Sequence, residues 1–207
     1  MTDAQADSAA RPYHHGDLRR ALIEAGLAIL EEEGLGALSL RAIAARAGVS
    51  HAAPRNHFPS FRALHTAIAA EGFRLHAAAM REGLGPHADR EARLRAALAG
   101  YVAFAARHPA LFAFMFSSHY ADFGDPELAA AGQASYAVLA EISQGLLWPG
   151  AEGPDRQRRT EAMLWSCVHG YATLAQAGLL RATVGLGGDP SLAEVVLSVT
   201  PAFSYEG

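Results

Sequence analysis

The sequence predicts an all-α protein with a small N-terminal three-helix part of the helix-turn-helix type and a larger C-terminal helical part. Apolar residues recur at helical spacing along most of the chain, and no segment alternates as a half-buried strand does. Capping residues precede these segments, and glycine or proline follows them. The 207 residues, 51% of them hydrophobic, are enough to bury a core in each part.

Three helices make up the N-terminal part. The first is expected over Asp17–Glu33. The second follows the capping residue Ser39, and Gly48 ends it because glycine enters the left-handed conformation without a Cβ penalty. Val49 is expected to be a buried wedge, and Ser50 to cap the third helix. Two short helices around a glycine turn are typical of the helix-turn-helix, which places its second helix in the DNA major groove.

Proline and glycine mark the later boundaries. Pro54, near the fourth position of the third helix, predicts a short or distorted first turn. The break Gly83-Leu84-Gly85-Pro86 predicts a domain boundary. The remaining helices are expected at Ser60–Glu82, Arg90–Arg107, Ala110–Ser118, Asp125–Leu146, Asp155–Arg181 and Ser191–Phe203, nine helices in all. The expected organisation is a disordered arm (1–14), a helix-turn-helix domain (15–60), a connecting helix (61–85) and a C-terminal domain (86–207).

Composition limits the class of protein. The net charge is −4, and all 17 basic residues are arginine, so charge alone neither favours nor opposes nucleic-acid binding. The single cysteine, Cys167, is typical of a reducing cytoplasm, and no uncharged apolar run is long enough to span a bilayer. Cys167 and His169 point in different directions on a helix, and no metal-spaced cluster or phosphate loop is found. We therefore expect no enzyme, no catalytic residues, no metal and no cofactor, and a cytoplasmic protein without membrane contact.

Three motifs resemble the tetracycline-repressor (TetR) family of bacterial regulators. The segment GDLRRALIEAGLAILEEEG resembles the first helix of the family, and SLRAIAARAGVS followed by HFPS resembles its helix-turn-helix. In LWSCVHGYATL, Trp165, His169 and Gly170 resemble the Trp-His-Gly signature of one C-terminal subgroup. The resemblance implies a homodimer that binds a palindromic double-stranded DNA operator and releases it when a small-molecule effector enters the C-terminal domain. Arg55 stands where members commonly have tyrosine, and Phe61 where they often have lysine.

The resemblance implies a DNA-binding surface in the N-terminal part. Phosphate contacts position such a protein on DNA, whereas contacts to base edges specify the sequence. We expect base contacts from the early third helix and from the flank of the second, at His51, Ala52, Asn56 and Arg41. Phosphate contacts are expected from Ser39, Ser50, Arg55, His57 and Arg62. His57 as a core histidine and Arg41 as a solvated helix residue are the alternatives.

The C-terminal part is expected to bind the effector and to dimerise. The effector-site candidates are Tyr101, Phe104, Phe112, Met115, Phe116, Tyr136, Trp165 and His169, which suit an apolar or aromatic ligand. The alternative is an ordinary core. A stripe of small residues and an apolar face are expected to form a two-fold four-helix interface: Ser166, Gly170, Thr173, Ala177, Leu192, Val195, Val196 and Val199. The alternatives are that these faces form the monomer core, and that the protein binds DNA constitutively without a ligand.

Overall fold

A computed structural model describes residues 15–85, 88–184 and 204–205. The predicted arm (1–14) and the predicted last helix, Ser191–Phe203, lie outside the described residues. The same holds for four of the predicted interface residues, Leu192, Val195, Val196 and Val199.

The fold is all-α, as predicted. The described residues form eight α-helices: α1 (His15–Glu32), α2 (Leu40–Arg46), α3 (Phe61–Glu82), α4 (Arg90–Arg107), α5 (Pro109–Met115), α6 (Pro126–Ile142), α7 (Arg156–Gln176) and α8 (Leu179–Val184). Short 3-10 helices lie at Leu35–Ala37 and Ala53–Asn56. Several boundaries follow the capping signals in the sequence. The side chains of Ser39, Ser60 and Asp125 accept hydrogen bonds from backbone N–H groups at the starts of α2, α3 and α6.

The third element of the head (residues 15–60) differs from the prediction. It is a four-residue 3-10 helix, Ala53–Asn56, whose N-cap is Ala52 without a side-chain bond, so the prediction that Ser50 caps an α-helix is wrong. The Ser50 carbonyl accepts from the Ala53 N–H at 3.0 Å. Pro54 is buried and has no N–H to continue an α-helical ladder. The predicted distortion therefore extends through the whole element, which closes in the tighter 3-10 geometry.

α3 is the central helix of the molecule. It packs against α4, α5 and α6 in the C-terminal body and against α1 in the head. α3 and α4 approach closely at Gly100, where an added Cβ would lie 3.0 Å from the Met80 Cα and closer still to the Ala79 carbonyl oxygen. The helix predicted as a connector thus also carries much of the core, since half of its 22 residues are buried.

Three predictions for the body need correction. α5 spans Pro109–Met115 rather than Ala110–Ser118, and α6 ends at Ile142 rather than continuing to Leu146. Beyond Gly145, whose φ is +72°, Leu146–Leu147 pairs antiparallel with Ser204–Tyr205 in a two-stranded ribbon that the sequence did not predict. The predicted Asp155–Arg181 helix is divided into α7 and α8 by Gly178, which has a φ of +69°.

None of the described helices is by itself long and apolar enough to cross a membrane. Only the pair α4 and α5 meets the criterion of length and apolarity, and a bend of 105° separates these two helices.

Candidate functional sites

Most of the residues predicted to contact DNA are exposed on the head. We call this set the head surface; its members are all exposed, and they are Ser39, Arg41, Ser50, His51, Ala52, Arg55 and Asn56. Beneath them, Ile43, Pro54 and Phe58 are buried. The short elements of the head therefore use their apolar side chains for the core and present their polar side chains to solvent.

The arginines of the head fall into two groups. Arg46 forms a hydrogen-bonded ion pair with Glu32 and lies 3.7 Å from a Glu33 oxygen, and its hydrogen bond lowers the pKa of Glu32. Arg41 and Arg55 have no ion-pair partner within the part of the chain that the structure describes. Their positive charge is therefore available to an anionic partner.

Two other residues predicted to contact phosphate lie elsewhere. His57 is half-buried at the end of the 3-10 helix, and its backbone N–H donates to the Pro54 carbonyl at 3.0 Å. Arg62 donates to the carbonyl oxygens of Ser118 (3.1 Å), His119 (3.3 Å) and Ala121 (2.9 Å). These three residues belong to the segment between α5 and α6, which we call the 117–125 loop. Arg62 thus connects the start of α3 to this loop instead of joining the head surface.

An aromatic cavity of about 310 Å³ lies in the body, between α3, α4, α6 and α7. Four predicted effector-site residues line it: Tyr101, Phe116, Tyr136 and Trp165. The lining also includes residues that the sequence analysis missed, chiefly Phe73, His76, Phe123, Leu128, Gly132, Gln133, Ser135 and Leu139. Phe123, in the 117–125 loop, is 46% exposed and so lies at the entrance.

The other four predicted effector-site residues do not line this cavity. Phe104 and Met115 are buried core residues and line neither this cavity nor a second one. The second cavity, of about 490 Å³, is bordered by Phe112, His169 and the outer part of α7. Helical periodicity alone did not separate core aromatic residues from cavity-lining ones, because both face inward.

A hydrogen-bonded chain crosses one wall of the aromatic cavity. The Trp165 Nε1–H donates to the Tyr101 hydroxyl at 3.3 Å, and the Tyr101 hydroxyl lies 2.8 Å from His169 Nδ1. The Tyr101 hydroxyl donates to Nδ1 when the proton of the neutral His169 lies on Nε2, and it accepts from Nδ1–H in the other tautomer. Burial raises the pKa of Tyr101 and lowers that of His169, so both groups are neutral near pH 7.

His76 is a buried polar residue of the cavity that the sequence analysis missed. Its Nδ1 lies 2.8 Å from the Ser135 hydroxyl, and burial, with a smaller effect of nearby His169, lowers the pKa of His76 to about 3. Its position three residues after Phe73 and four before Met80 was the available signal, since all three share the inward face of α3.

Among the described residues, two polar side-chain contacts join the body to α1 of the head. Glu127, in the first turn of α6, accepts hydrogen bonds from Arg19 of α1 at 2.6 Å and from Arg74 of α3 at 2.8 Å. The next residue, Leu128, lines the cavity. In addition, Glu31 of α1 pairs with His108 between α4 and α5. The Glu127–Arg19 pair therefore joins the start of α6, next to a cavity-lining residue, to the first helix of the head.

The outer face of α7 carries the predicted small-residue stripe. Ser166, Thr173 and Ala177 are exposed and Gly170 is half-buried. The hydroxyls of Ser166 and Thr173 donate to carbonyls one turn earlier in α7, at 2.7 and 2.9 Å. A Cβ added at Gly170 would meet no atom within 4 Å. The glycine therefore has no packing role within the described part of this chain.

Sequence profiles match two regions of the chain. Residues 22–68 match the profile described as bacterial regulatory proteins, tetR family. Residues 94–199, more than half of the chain, match the tetracyclin repressor-like C-terminal domain. The assignment of Trp165, His169 and Gly170 to one subgroup stays a prediction. No curated protein shows significant sequence similarity to the chain.

Solved structures resemble the whole chain. A protein of unknown function from Rhodococcus sp. RHA1 is 36% identical, with 93% of this chain and 96% of that one covered, at a TM-score of 0.70. The TetR-like transcriptional regulator LfrR from Mycobacterium smegmatis, in complex with proflavine, is 22% identical to the chain. The match covers 89% of this chain and 95% of LfrR, at a TM-score of 0.56. A TetR family transcription regulator from Marinobacter aquaeolei VT8 is 18% identical to the chain. The match covers 91% of this chain and 96% of that protein, at a TM-score of 0.63. The last two show likeness of fold.

Proposed function

The chain belongs to the tetR family of bacterial regulatory proteins, DNA-binding transcription regulators with a helix-turn-helix, and from this premise we propose that it is a homodimeric repressor that releases a palindromic operator when a small apolar or aromatic effector binds. Members of the family bind DNA and effectors and form dimers. The observation that carries the proposal here is the Glu127 contact, since it joins a wall of the aromatic cavity to the head.

The head surface supplies the DNA contacts in this proposal. Arg41 and Arg55 are exposed and have no ion-pair partner among the described residues, so their guanidinium groups can reach phosphate or guanine. Ser39 and Ser50 add hydroxyl donors for phosphate, while His51, Ala52 and Asn56 lie where base edges would be read. Arg62 is left out of this set because it binds the 117–125 loop.

The outer face of α7 supplies the dimer interface. Ser166 and Thr173 satisfy their hydroxyls within α7, so a partner helix can cover them without leaving a buried polar group unpaired. Glycine inside a helix costs about 1 kcal/mol relative to alanine. A close helix from a second copy explains Gly170, which has open space beside it in one copy. A two-fold dimer would present two heads to half-sites about 34 Å apart.

Effector binding would act by shifting the equilibrium between two arrangements of the head. An effector changes that equilibrium only if it binds one arrangement better than the other. A ligand in the cavity would press on α6 beside Leu128, and Glu127 would carry the shift to Arg19 of α1. The Arg62 contacts with the 117–125 loop offer a second route, since Phe123 of the same loop lines the cavity.

Selection of bound DNA from a random pool tests the proposal. The full-length protein should enrich an inverted repeat, and Arg55→Ala should weaken binding to it by about tenfold or more while dimerisation persists. Arg95→Ala is the matched control because it removes the same charge from an exposed arginine of α4. Enrichment of no sequence, or equal affinity of the Arg55→Ala variant at moderate salt, would contradict the proposed docking. A dimer whose operator binding no aromatic ligand changes would point to the constitutive alternative.

A further inference from the structure

The hydrogen bonding of His76 is incomplete. The imidazole lies on α3, is 1% exposed and lines the aromatic cavity. Its Nε2 is buried and has no hydrogen-bond partner among the described residues. Native interiors rarely leave such an atom unpaired, so Nε2 is a candidate to bind a ligand or a water in the cavity.

The other polar groups of the lining have partners or are exposed. The Trp165 indole donates to the Tyr101 hydroxyl, which is also hydrogen-bonded to His169 Nδ1. The Tyr136 hydroxyl donates to the Glu161 carboxylate at 2.7 Å. Gln133 is exposed at the edge of the cavity. Within the described lining, His76 Nε2 is therefore the buried polar atom still available to a ligand.

The contact with Ser135 determines which His76 nitrogen carries the proton. A serine hydroxyl has one proton to donate, and for Ser135 the described residues offer His76 Nδ1, 2.8 Å away, as its acceptor. When Ser135 donates to Nδ1, the proton of the neutral imidazole lies on Nε2. The low pKa of His76, caused mainly by burial, keeps the ring neutral at physiological pH. His76 Nε2 is then a hydrogen-bond donor without an acceptor.

The ring of His76 is held in place on several sides. Tyr101 and Phe104 pack against it edge-on, with ring centroids 4.3 and 5.1 Å away. Ser135 fixes its rotation from α6. A donor held by packing and by a second hydrogen bond is preorganised, so it can discriminate between ligands at little cost in side-chain entropy.

We propose that His76 Nε2 donates the specificity-determining hydrogen bond to an acceptor oxygen, such as a carbonyl or ether, on an uncharged and otherwise apolar aromatic effector. This inference rests on the proposed effector cavity. No charged side chain is found in its described lining, and the Glu161 carboxylate lies behind Tyr136. An anionic ligand would thus be buried without a counter-ion. The volume of about 310 Å³ is at the small end for ligand sites, which suits a compact ligand of two or three rings.

Three naphthalenes of similar shape test this proposal by calorimetry on the full-length protein. The probe 2-acetylnaphthalene carries a carbonyl, 2-isopropenylnaphthalene replaces its oxygen with CH₂, and 2-naphthoate replaces the acetyl group with a carboxylate. We expect the acetyl compound to bind about tenfold or more tightly than the isopropenyl compound, because only its oxygen accepts from Nε2. We expect the naphthoate to bind at least about tenfold more weakly than the acetyl compound.

Two substitutions at His76 separate its two nitrogens. His76→Asn keeps an amide near the Nδ1 position for Ser135 but removes Nε2, so the preference for the acetyl compound should disappear. His76→Gln places an amide near the Nε2 position and should retain most of that preference. Unchanged binding of 2-isopropenylnaphthalene shows that a variant keeps the cavity. Gly132→Phe, which fills the cavity from α6, should abolish binding of all three probes.

The outcomes distinguish this inference from the proposed function. Equal affinity of the wild-type protein for the acetyl and isopropenyl compounds, or a preference that survives in His76→Asn, would overturn the role of His76 and leave the cavity as a ligand site. Tighter binding of 2-naphthoate than of the acetyl compound would overturn the uncharged class. If none of the three probes binds up to its solubility limit, both the effector cavity and the role of His76 are overturned.

Discussion

Alanine at two helical glycines is expected to have opposite effects on stability. Gly132 in α6 and Gly100 in α4 are both helix-interior positions, so alanine gains up to about 1 kcal/mol of helix propensity at each. At Gly132, which lines the cavity, the added Cβ meets no atom within 4 Å. At Gly100 it would lie 2.9 Å from the Ala79 carbonyl carbon and 3.0 Å from the Met80 Cα. Backbone atoms cannot rotate away, so α3 and α4 must separate.

The expected magnitudes follow from these distances. Gly132→Ala should raise the free energy of unfolding by about 0.5–1 kcal/mol, or Tm by roughly 2–3 °C for a chain of this length. Overpacking costs about 1–3 kcal/mol or more, so Gly100→Ala should lower Tm by several degrees despite the same gain in propensity. Circular dichroism melts of the two variants at equal protein concentration provide the measurement. Shifts of the same sign and size would refute the cavity beside Gly132 and the close helix contact at Gly100 together.

Three further outcomes are expected. Glu127→Gln breaks the ion pair with Arg19, so it should speed amide hydrogen exchange in α1 while lowering Tm only slightly. The control Glu91→Gln removes an ion pair within α4 and should leave hydrogen exchange in α1 unchanged. Gly170→Leu should weaken dimerisation by about tenfold or more, measured by sedimentation, without loss of helical content, and an unchanged dimer would contradict the α7 interface. His76 has its pKa lowered on folding to about 3, so between about pH 6.5 and 3 the unfolded chain binds a proton that the folded chain does not. The wild-type protein should therefore lose up to roughly 1.4 kcal/mol of stability per pH unit below about pH 6.5. In urea titrations, the free energy of unfolding of His76→Gln should fall less steeply with decreasing pH. Equal slopes would show that a group other than His76 causes the loss of stability in acid.

Local signals in the sequence predicted most helix boundaries. Ser39, Ser60 and Asp125 cap helices as expected, because a cap depends on a side chain and an N–H group two or three residues away. The same reasoning was wrong for Ser50. There Pro54 interrupts the α-helical ladder, and the first helical residue moves to Ala53. Two local rules compete within five residues, and proline has the larger energetic effect.

The candidate sites were predicted only in part, because they depend on distances between helices. Periodicity placed Tyr101 and Trp165 on inward faces, but it could not show which inward residues border empty space. Periodicity also failed to identify His76, since a histidine on an apolar helix face has the pattern of an ordinary core residue. The role of Arg62 could not be predicted locally either, because its acceptors lie 56 to 59 residues further along the chain.

The 117–125 loop bears on how the two proposed binding events affect each other. It carries Phe123 at the entrance of the cavity, while its carbonyls hold Arg62 at the base of the head. One short segment thus contacts both the proposed effector cavity and the start of α3. Coupling between two binding events is reciprocal, so a ligand that weakens operator affinity by a given factor is itself held more weakly, by the same factor, on the operator-bound protein. Saturating operator should accordingly lower the apparent affinity of the dimer for ligand, so the proposed switch would respond only at ligand concentrations above those that fill the free dimer.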